Sequence, residues 1–337
     1  MVLLNILDYA LIDEGSTSRD ALRHTTDLVR VADELGYHRF WVPEQHQALS
    51  IASSAPELLM MHLATNTKTI RIGSGGVMIP HYSPYKVAEN FRTLEALHPG
   101  RIDLGIGNST GGRLVNHVLN EEKEERLSYE QQVKDIQKYL GDDTTQEHRF
   151  RKVIAMPQID TLPEIWMLGA GGKSTKIASE LGTAYTYAHF IKPFEVGSEI
   201  IATYRKHFKP SIFHDKPNVA ITVFVVIGET NEEAEIFAKA FDLWMASLET
   251  AKNPTHFPSV ETAKRRQYSP FEKQKINQIR KRAIVGNPHF VREEIVKLAE
   301  RYHADEVTVI PNIPGAANRM KAIQLLAKQF KLHKIKT

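Results

Sequence analysis

No cysteine occurs among the 337 residues. Its absence removes disulfides, thiolate metal ligands and a cysteine nucleophile together, and it fits a reducing compartment. Long apolar runs are missing too: the opening MVLLNILDYA has no cationic leader and is interrupted by Asn5 and Asp8, and nothing approaches the ~18 residues of a membrane span. These absences read as a soluble, cytoplasmic protein with no membrane partner. The chain also lacks an excess of one charge, since 43 basic residues face 40 acidic ones for a net +3, with the signs interspersed. Nucleic acid is therefore not an expected partner. No HExxH or other compact ligand spacing is present, so no metal is expected.

What is present is a 42% apolar chain, enough for a large core, in which short β-rich runs alternate with longer amphipathic ones. Eight strand candidates emerge: Leu3 to Tyr9, Arg39 to Val42, Ile70 to Ile79, Ile102 to Ile106, Glu164 to Leu168, Thr183 to Ala188, Val219 to Ile227 and Asp305 to Ile310. Helices are predicted over Ser18 to Leu35, from Ser54-Pro56 through Leu63, from Ser83-Pro84 to Pro99, and over Glu121 to Leu140, Lys173 to Leu181, Pro193 to Phe208, Asn231 to Thr250, Pro288 to Tyr302 and Ala316 to Phe330. A strand followed by a helix, eight times over, is the count of a (β/α)8 TIM barrel, here one domain spanning 1–337. Two stretches exceed the minimal repeat, Asp142 to Thr161 and the polar, basic Ala251 to Arg282, and they read as insertions after strands 4 and 7.

The string LGAGGKST, Leu168 to Thr175, invites a phosphate-loop reading that its spacing refuses. A Walker A loop requires glycine where Met167 stands, and GxGxxG requires glycine at Ser174. What survives is a glycine-rich strand-to-helix turn, either an anion site built on free N–H groups and the helix dipole or simply a tight turn. Gly75-Gly76, inside the third strand, suggests a backbone distortion or the approach of a ligand, with a plain β-bulge as the milder reading.

Together the run Ile70 to Gly107, RFWVPEQHQ from Arg39 to Gln47, and RAIVGNPHFVREEIVKLAERYHADEVTVIP from Arg282 to Pro311 resemble the luciferase-like flavin monooxygenase family, over nearly the whole chain and in the family's order. The resemblance implies a barrel holding FMN, as FMNH2, across the C-terminal ends of its strands. A cis peptide joining Gly75 and Gly76 would lie under the flavin ring, and the phosphate would sit at Gly169, Ala170, Gly171 and Ser174. It also implies reduced flavin supplied by a separate flavin reductase, O2 as co-substrate, and a small organic molecule such as an aldehyde as substrate.

Two departures from the family pattern stand out. Asn108 occupies the position after the fourth strand where many relatives carry a phosphate-gripping arginine, an exchange worth about 1.5–3 kcal/mol. At the end of the second strand Glu44-Gln45-His46 replaces the typical Glu-His-His, so a histidine proposed as a base is here glutamine. His46 is then the candidate for proton handling, because imidazole titrates near neutral pH, with Gln45 as hydrogen-bonding partner and Glu44 holding the loop. His62, His81, His117 and His189 are pocket candidates only. The competing readings are a flavin-binding barrel with little turnover, a nucleotide hydrolase using GGKST, and a barrel using deazaflavin in place of FMN. Leu58, Leu59, Met61, Leu63, Phe91 and Leu94, on the helices from Ser54 and Pro84, exceed what one barrel face should need and predict a homodimer.

Overall fold

The computed structural model describes residues 2–121, 123, 127–193, 196–250 and 252–333. Parts of the predicted helices at 122, 124–126 and 194–195, the start of the basic segment at 251, and the chain ends at 1 and 334–337 lie outside the described residues.

Among the described residues ten strands form one parallel sheet: β1 Leu3–Leu7, β2 Arg39–Val42, β3 Arg71–Ser74, β4 Val77–Met78, β5 Ile102–Gly107, β6 Glu164–Gly169, β7 Ala184–Ala188, β8 Val219–Ile227, β9 Ala283–Gly286 and β10 Glu306–Ile310. The order β10-β1-β2-β3-β5-β6-β7-β8 closes on itself because β8 also pairs with β10, from Ala220 opposite Glu306 to Phe224 opposite Ile310. The result is a closed eight-stranded (β/α)8 barrel. β8, VAITVFVVI, is buried at all nine positions, as expected of a parallel strand covered on both faces. Its far end carries β9 outside the barrel, a strand the sequence reading did not anticipate.

Among the described residues twelve α-helices accompany the strands: α1 Ser18–Leu35, α2 Pro56–Thr65, α3 Pro84–Leu97, α4 Arg113–Leu119, α5 Tyr129–Leu140, α6 Gly172–Leu181, α7 Val196–His207, α8 Asn231–Glu249, α9 Val260–Arg265, α10 Pro270–Arg280, α11 Pro288–Tyr302 and α12 Ala316–Phe330. α1 begins where Thr17 and Asp20 form a capping box and stops at Gly36, whose φ of 86° lets its N–H close the last turn. The helix predicted from Glu121 starts later, at Tyr129, where the Ser128 hydroxyl accepts from the Gln131 N–H. α4 is an additional helix after β5, and the basic segment is partly helical, containing α9 and α10.

Arg92 on α3 is buried and donates to the carbonyls of Tyr139 and Leu140, the open end of α5, and to those of Ala155 and Pro157. It thereby fastens the irregular stretch after α5 to the barrel wall. The apolar residues taken as dimer-forming divide in two. Leu63, Phe91 and Leu94 are consumed by the protomer's own core, because α3 packs on α5 and α2 on the barrel, while Leu58 stays 76% exposed and Leu59 and Met61 half-buried.

Ions plug the N-terminal end of the barrel. Arg39 donates two hydrogen bonds to Glu306, Nε to Oε2 at 2.8 Å and Nη2 to Oε1 at 3.0 Å, and a third to Asp103 at 2.8 Å, while Glu164 lies 3.0 Å away. Arg71 adds a second cation to Asp103 and Glu164, and Asn5 donates to Glu306. These partners sit on β1, β2, β3, β5, β6 and β10, so the cluster spans the lumen. Above it Trp41 meets Trp166 edge to face at 5.5 Å, and the Trp41 indole N–H donates to Asp103. The arginines hold the Asp103 and Glu306 carboxyls below the usual range despite their burial. With lowered native pKa values, the stability these two contribute is present above about pH 4 and is lost as the pH falls through their native values. Replacing Arg39 with Met leaves buried Glu306 without its arginine, Arg71 still serving Asp103 and Glu164, so urea denaturation at pH 7 should show a loss of about 3–5 kcal/mol. Unchanged stability would mean the cluster is not the plug described.

Candidate active site

Apart from the pocket-candidate histidines, the sequence-predicted site residues fall at or just beyond the C-terminal ends of β2, β3, β5 and β6, four consecutive strands of the barrel. Such ends, and the loops that follow them, are where barrels place their chemistry. β2 delivers Glu44, Gln45 and His46 after Pro43. Glu44 is 4% exposed, and its carboxylate collects three donors: the Met78 backbone N–H on Oε2, and the Tyr82 hydroxyl and His46 Nε2 on Oε1, each at 2.8 Å. A carboxylate only accepts, so His46 Nε2 carries a hydrogen and Nδ1 is the ring nitrogen left for other chemistry. His46 is about a quarter exposed. Gln45 is anchored by its backbone N–H to the Ser53 carbonyl.

The predicted third strand, Ile70 to Ile79, is interrupted: β3 ends at Ser74, a cis peptide joins Gly75 to Gly76, and β4 resumes at Val77. A side chain here has no room, since a Cβ on Gly76 would sit 2.7 Å from the Gly105 carbonyl oxygen and one on Gly75 2.7 Å from Leu7 Cδ1. Between the paired ends, Ser74, Gly75 and Gly76 lie opposite only Leu104 and Gly105, so the distortion combines the extra residue of a bulge with a close approach to β5.

β6 runs out at Gly169, and Gly171 is the N-cap of α6 with no side chain capping it, so the first N–H groups of that helix have no helical partner. A Cβ on Gly169 would overlap the Ser174 hydroxyl, which donates to the Gly171 carbonyl and lies 3.0 Å from the Tyr185 hydroxyl. Burial pushes the Tyr185 hydroxyl well above its ordinary pKa, so it stays protonated. Ala170 is half-buried in the same turn. Asn108 follows β5, two residues beyond Ile106, whose partner on β6 is Met167; this brings it level with Gly169 across the sheet, with an exposed side chain.

The remaining histidines separate. His81 comes to the site, its ring 6.2 Å from that of His46 at an interplanar angle of 83°, with Nδ1 accepting from Asn120. His62 lies on the outer face, where Nε2 meets the Thr26 hydroxyl, and His117 is exposed on α4. His189, just past β7, is buried with Nδ1 3.0 Å from the Tyr302 hydroxyl. Sequence reasoning missed Tyr82 and Asn120 outright, since neither belongs to a motif with chemical meaning until Glu44 and His81 are beside it. The basic segment is stitched over this end of the barrel: Asn253 donates to the Gln47 carbonyl and accepts from the Leu49 N–H, and Glu14 accepts from the Ser259 N–H and the Thr262 hydroxyl at the start of α9, while Trp244 of the preceding α8 donates to Ser50. Among the described residues no group of three or more His, Asp or Glu side chains is placed to hold a metal, and no helix is long and apolar enough to cross a membrane.

A closed barrel with a glycine-rich, uncapped helix start and a carboxylate–histidine pair at one mouth has the layout of an α/β-barrel enzyme. Residues 6–305 match the family model of the luciferase-like monooxygenases, and the chain belongs to that family and is an oxidoreductase. The uncharacterized protein YwcH of Bacillus subtilis is 41% identical over 98% of this chain and 99% of its own. The N-acetyl-S-alkylcysteine monooxygenase of the same organism is 36% identical over 97% and 98%. Among solved structures, apo-MsnO8 superposes with a TM-score of 0.88 at 34% identity, covering 98% of both chains.

Burial, and secondarily the charge of Arg301, pushes the His189 pKa down to about 4 from an ordinary 6.5. A lowered histidine pKa means the unfolded chain binds a proton that the native one does not. Stability should therefore fall as the pH drops from about 6.5 to 4, with His189 responsible for about 2–3 kcal/mol. Thermal unfolding across that range should show a shallower slope for His189→Asn, and identical slopes would remove His189 from the account.

Proposed function

We propose that the protein is a cytoplasmic FMN-dependent monooxygenase that uses reduced FMN from a separate flavin reductase, together with O2, to oxygenate a small organic substrate such as an aldehyde. One observation carries the reading: on four neighbouring strands an uncapped, glycine-lined helix start and a buried carboxylate–histidine pair flank the Gly75-Gly76 segment.

The residues fit the cofactor. The N–H groups opening α6 and the positive end of its dipole suit a phosphate, with Gly169, Ala170, Gly171 and Ser174 as its cradle. Gly75 and Gly76 would lie under the ring. Asn108 offers a neutral donor, with exposed Arg113 and Lys173, in the first turns of α4 and α6, as the candidate cations. Bound reduced FMN would supply the electrons and the activation of oxygen. The chain supplies orientation, exclusion of water and control of one proton: His46 takes it at Nδ1 while Nε2–H stays on Glu44, and the Gln45 amide orients the reacting oxygen. The segment stitched over the mouth by Asn253 and Glu14 limits water.

Flavin-fluorescence titration tests the site. Ser174→Asp should weaken FMN binding about ten- to a hundredfold by placing a charge against the phosphate, and Asn108→Arg should tighten it about tenfold or more. If neither substitution moves the affinity, the phosphate binds elsewhere, and a preference for deazaflavin in the same titration would replace FMN as the cofactor. Oxygen consumption with chemically reduced FMN should fall at least tenfold in His46→Ala. No consumption in the parent would favour a flavin-binding barrel with little turnover, the alternative that Gln45 and Asn108 suggest.

The protein is also proposed to be a homodimer through α2 and α3, where Leu58, Leu59, Met61 and Leu97 remain exposed or half-buried. Light scattering at micromolar concentration should give twice the 38.2 kDa chain mass, and Leu58→Glu should reduce it. A parent that scatters as a monomer would end this proposal.

A further inference from the structure

We propose that Tyr82 is a positioning residue that restrains the proton affinity of His46 through the one Glu44 oxygen they share. The inference rests on reading His46 as the group that handles the proton. The Tyr82 hydroxyl and His46 Nε2 both meet Glu44 Oε1 at 2.8 Å, while the Met78 N–H occupies Oε2 at the same distance. Hydrogen bonds to a carboxylate spread its charge, and each donor weakens what the oxygen offers the next. Tyr82 therefore competes with the imidazole. Without it, His46 would be the sole donor on that oxygen and would hold a proton more tightly.

The tyrosine is suited to this role. Burial first, and the bond to Glu44 second, raise its pKa well above the ordinary value, so it remains a donor over the working pH range. It follows His81, whose ring lies edge-on to both neighbours at 6.2 Å. Asn120 donates to His81 Nδ1, and Lys123 to the His81 carbonyl. From α2 the Glu57 carboxyl faces the same group, its pKa raised by burial and then by the charge of Glu44. Among the described residues, the titratable and charged groups that face this centre are Glu44, Glu57, His81, Tyr82 and, through the His81 carbonyl, Lys123. Among them only Glu44 and Tyr82 share the hydrogen-bonded oxygen with the imidazole.

The test is the titration of the His46 ring by isotope-edited NMR on the purified full-length protein without cofactor, its resonance identified by its loss in His46→Ala. Tyr82→Phe should move the midpoint upward by about half a unit to one unit. In a Glu44→Gln background the same Tyr82→Phe change should move it by less than about 0.2 unit, because the shared charge is gone. Tyr82→Leu, which also lacks the hydroxyl, serves where phenylalanine does not fold. An unchanged midpoint in the single variant, or an equal shift in both backgrounds, overturns the proposal. The readout needs no turnover, so it is separable from the catalytic reading. If His46→Ala keeps the parent's oxygen consumption, the assignment of His46 fails whatever the titration shows.

Discussion

A guanidinium held between the carboxylates of Asp103, Glu164 and Glu306 closes the N-terminal end of the barrel, and much else follows from that closure. Isolated charges in a barrel lumen would be untenable, but Arg39 and Arg71 face three carboxylates, with hydrogen bonds from Asn5 and Trp41 on the remaining lone pairs. Such a cluster adds little net stability over an apolar plug of equal volume. Its contribution is geometric, because one residue from each of six strands must arrive at the same level for the charges to pair. Register around the barrel is thereby locked from below, and the mouth is left as the open end.

Packing above the plug explains the glycines. Trp41 and Trp166 fill the lumen, and a Cβ at Gly73 would overlap the Trp41 indole, just as one at Gly76 would press on the Gly105 carbonyl. Strands this close cannot carry side chains between them. The distortion at Gly75-Gly76 is held from outside by Glu44, whose Oε2 takes the Met78 N–H just beyond it. One carboxylate thus joins the end of β2 to β4 and orients a histidine. That coupling makes the barrel's internal packing a determinant of the chemistry at its rim.

The rim divides the work. β5 and β6 present backbone N–H groups and small residues, which can surround an anion without side-chain entropy to lose. β2 and the turn after β4 present ionisable side chains already committed to one another. Loops that elsewhere would be free are tied down here, by Arg92 for the stretch after α5 and by Asn253 and Glu14 for the segment after α8. The mouth is thus a rigid frame with the loops around it anchored.

Much of this was legible in the residues. Hydrophobic periodicity located the eight barrel strands, and α1, α11 and α12 have their predicted bounds; for α1 and α11 local signals helped, a glycine that ends the first and a proline in the first turn of the second. The glycine pair was identifiable as a distortion, and the motif resemblance pointed to its cis peptide. What could not be read was which side chains meet. Tyr82 and Glu44 are 38 positions apart, Asn120 and His81 are 39, and Arg39 and Glu306 are 267. α4 and the late start of α5 were missed because a run of glycines and charges carries no period. Leu63, Phe91 and Leu94 looked like spare apolar surface because periodicity marks a face as apolar without naming what covers it. The chain alone determined a barrel with its mouth at the ends of known strands. Closure of that barrel decided that a glutamate, a tyrosine and a histidine share one hydrogen-bonded centre, because only the completed sheet brings their strands and loops within reach.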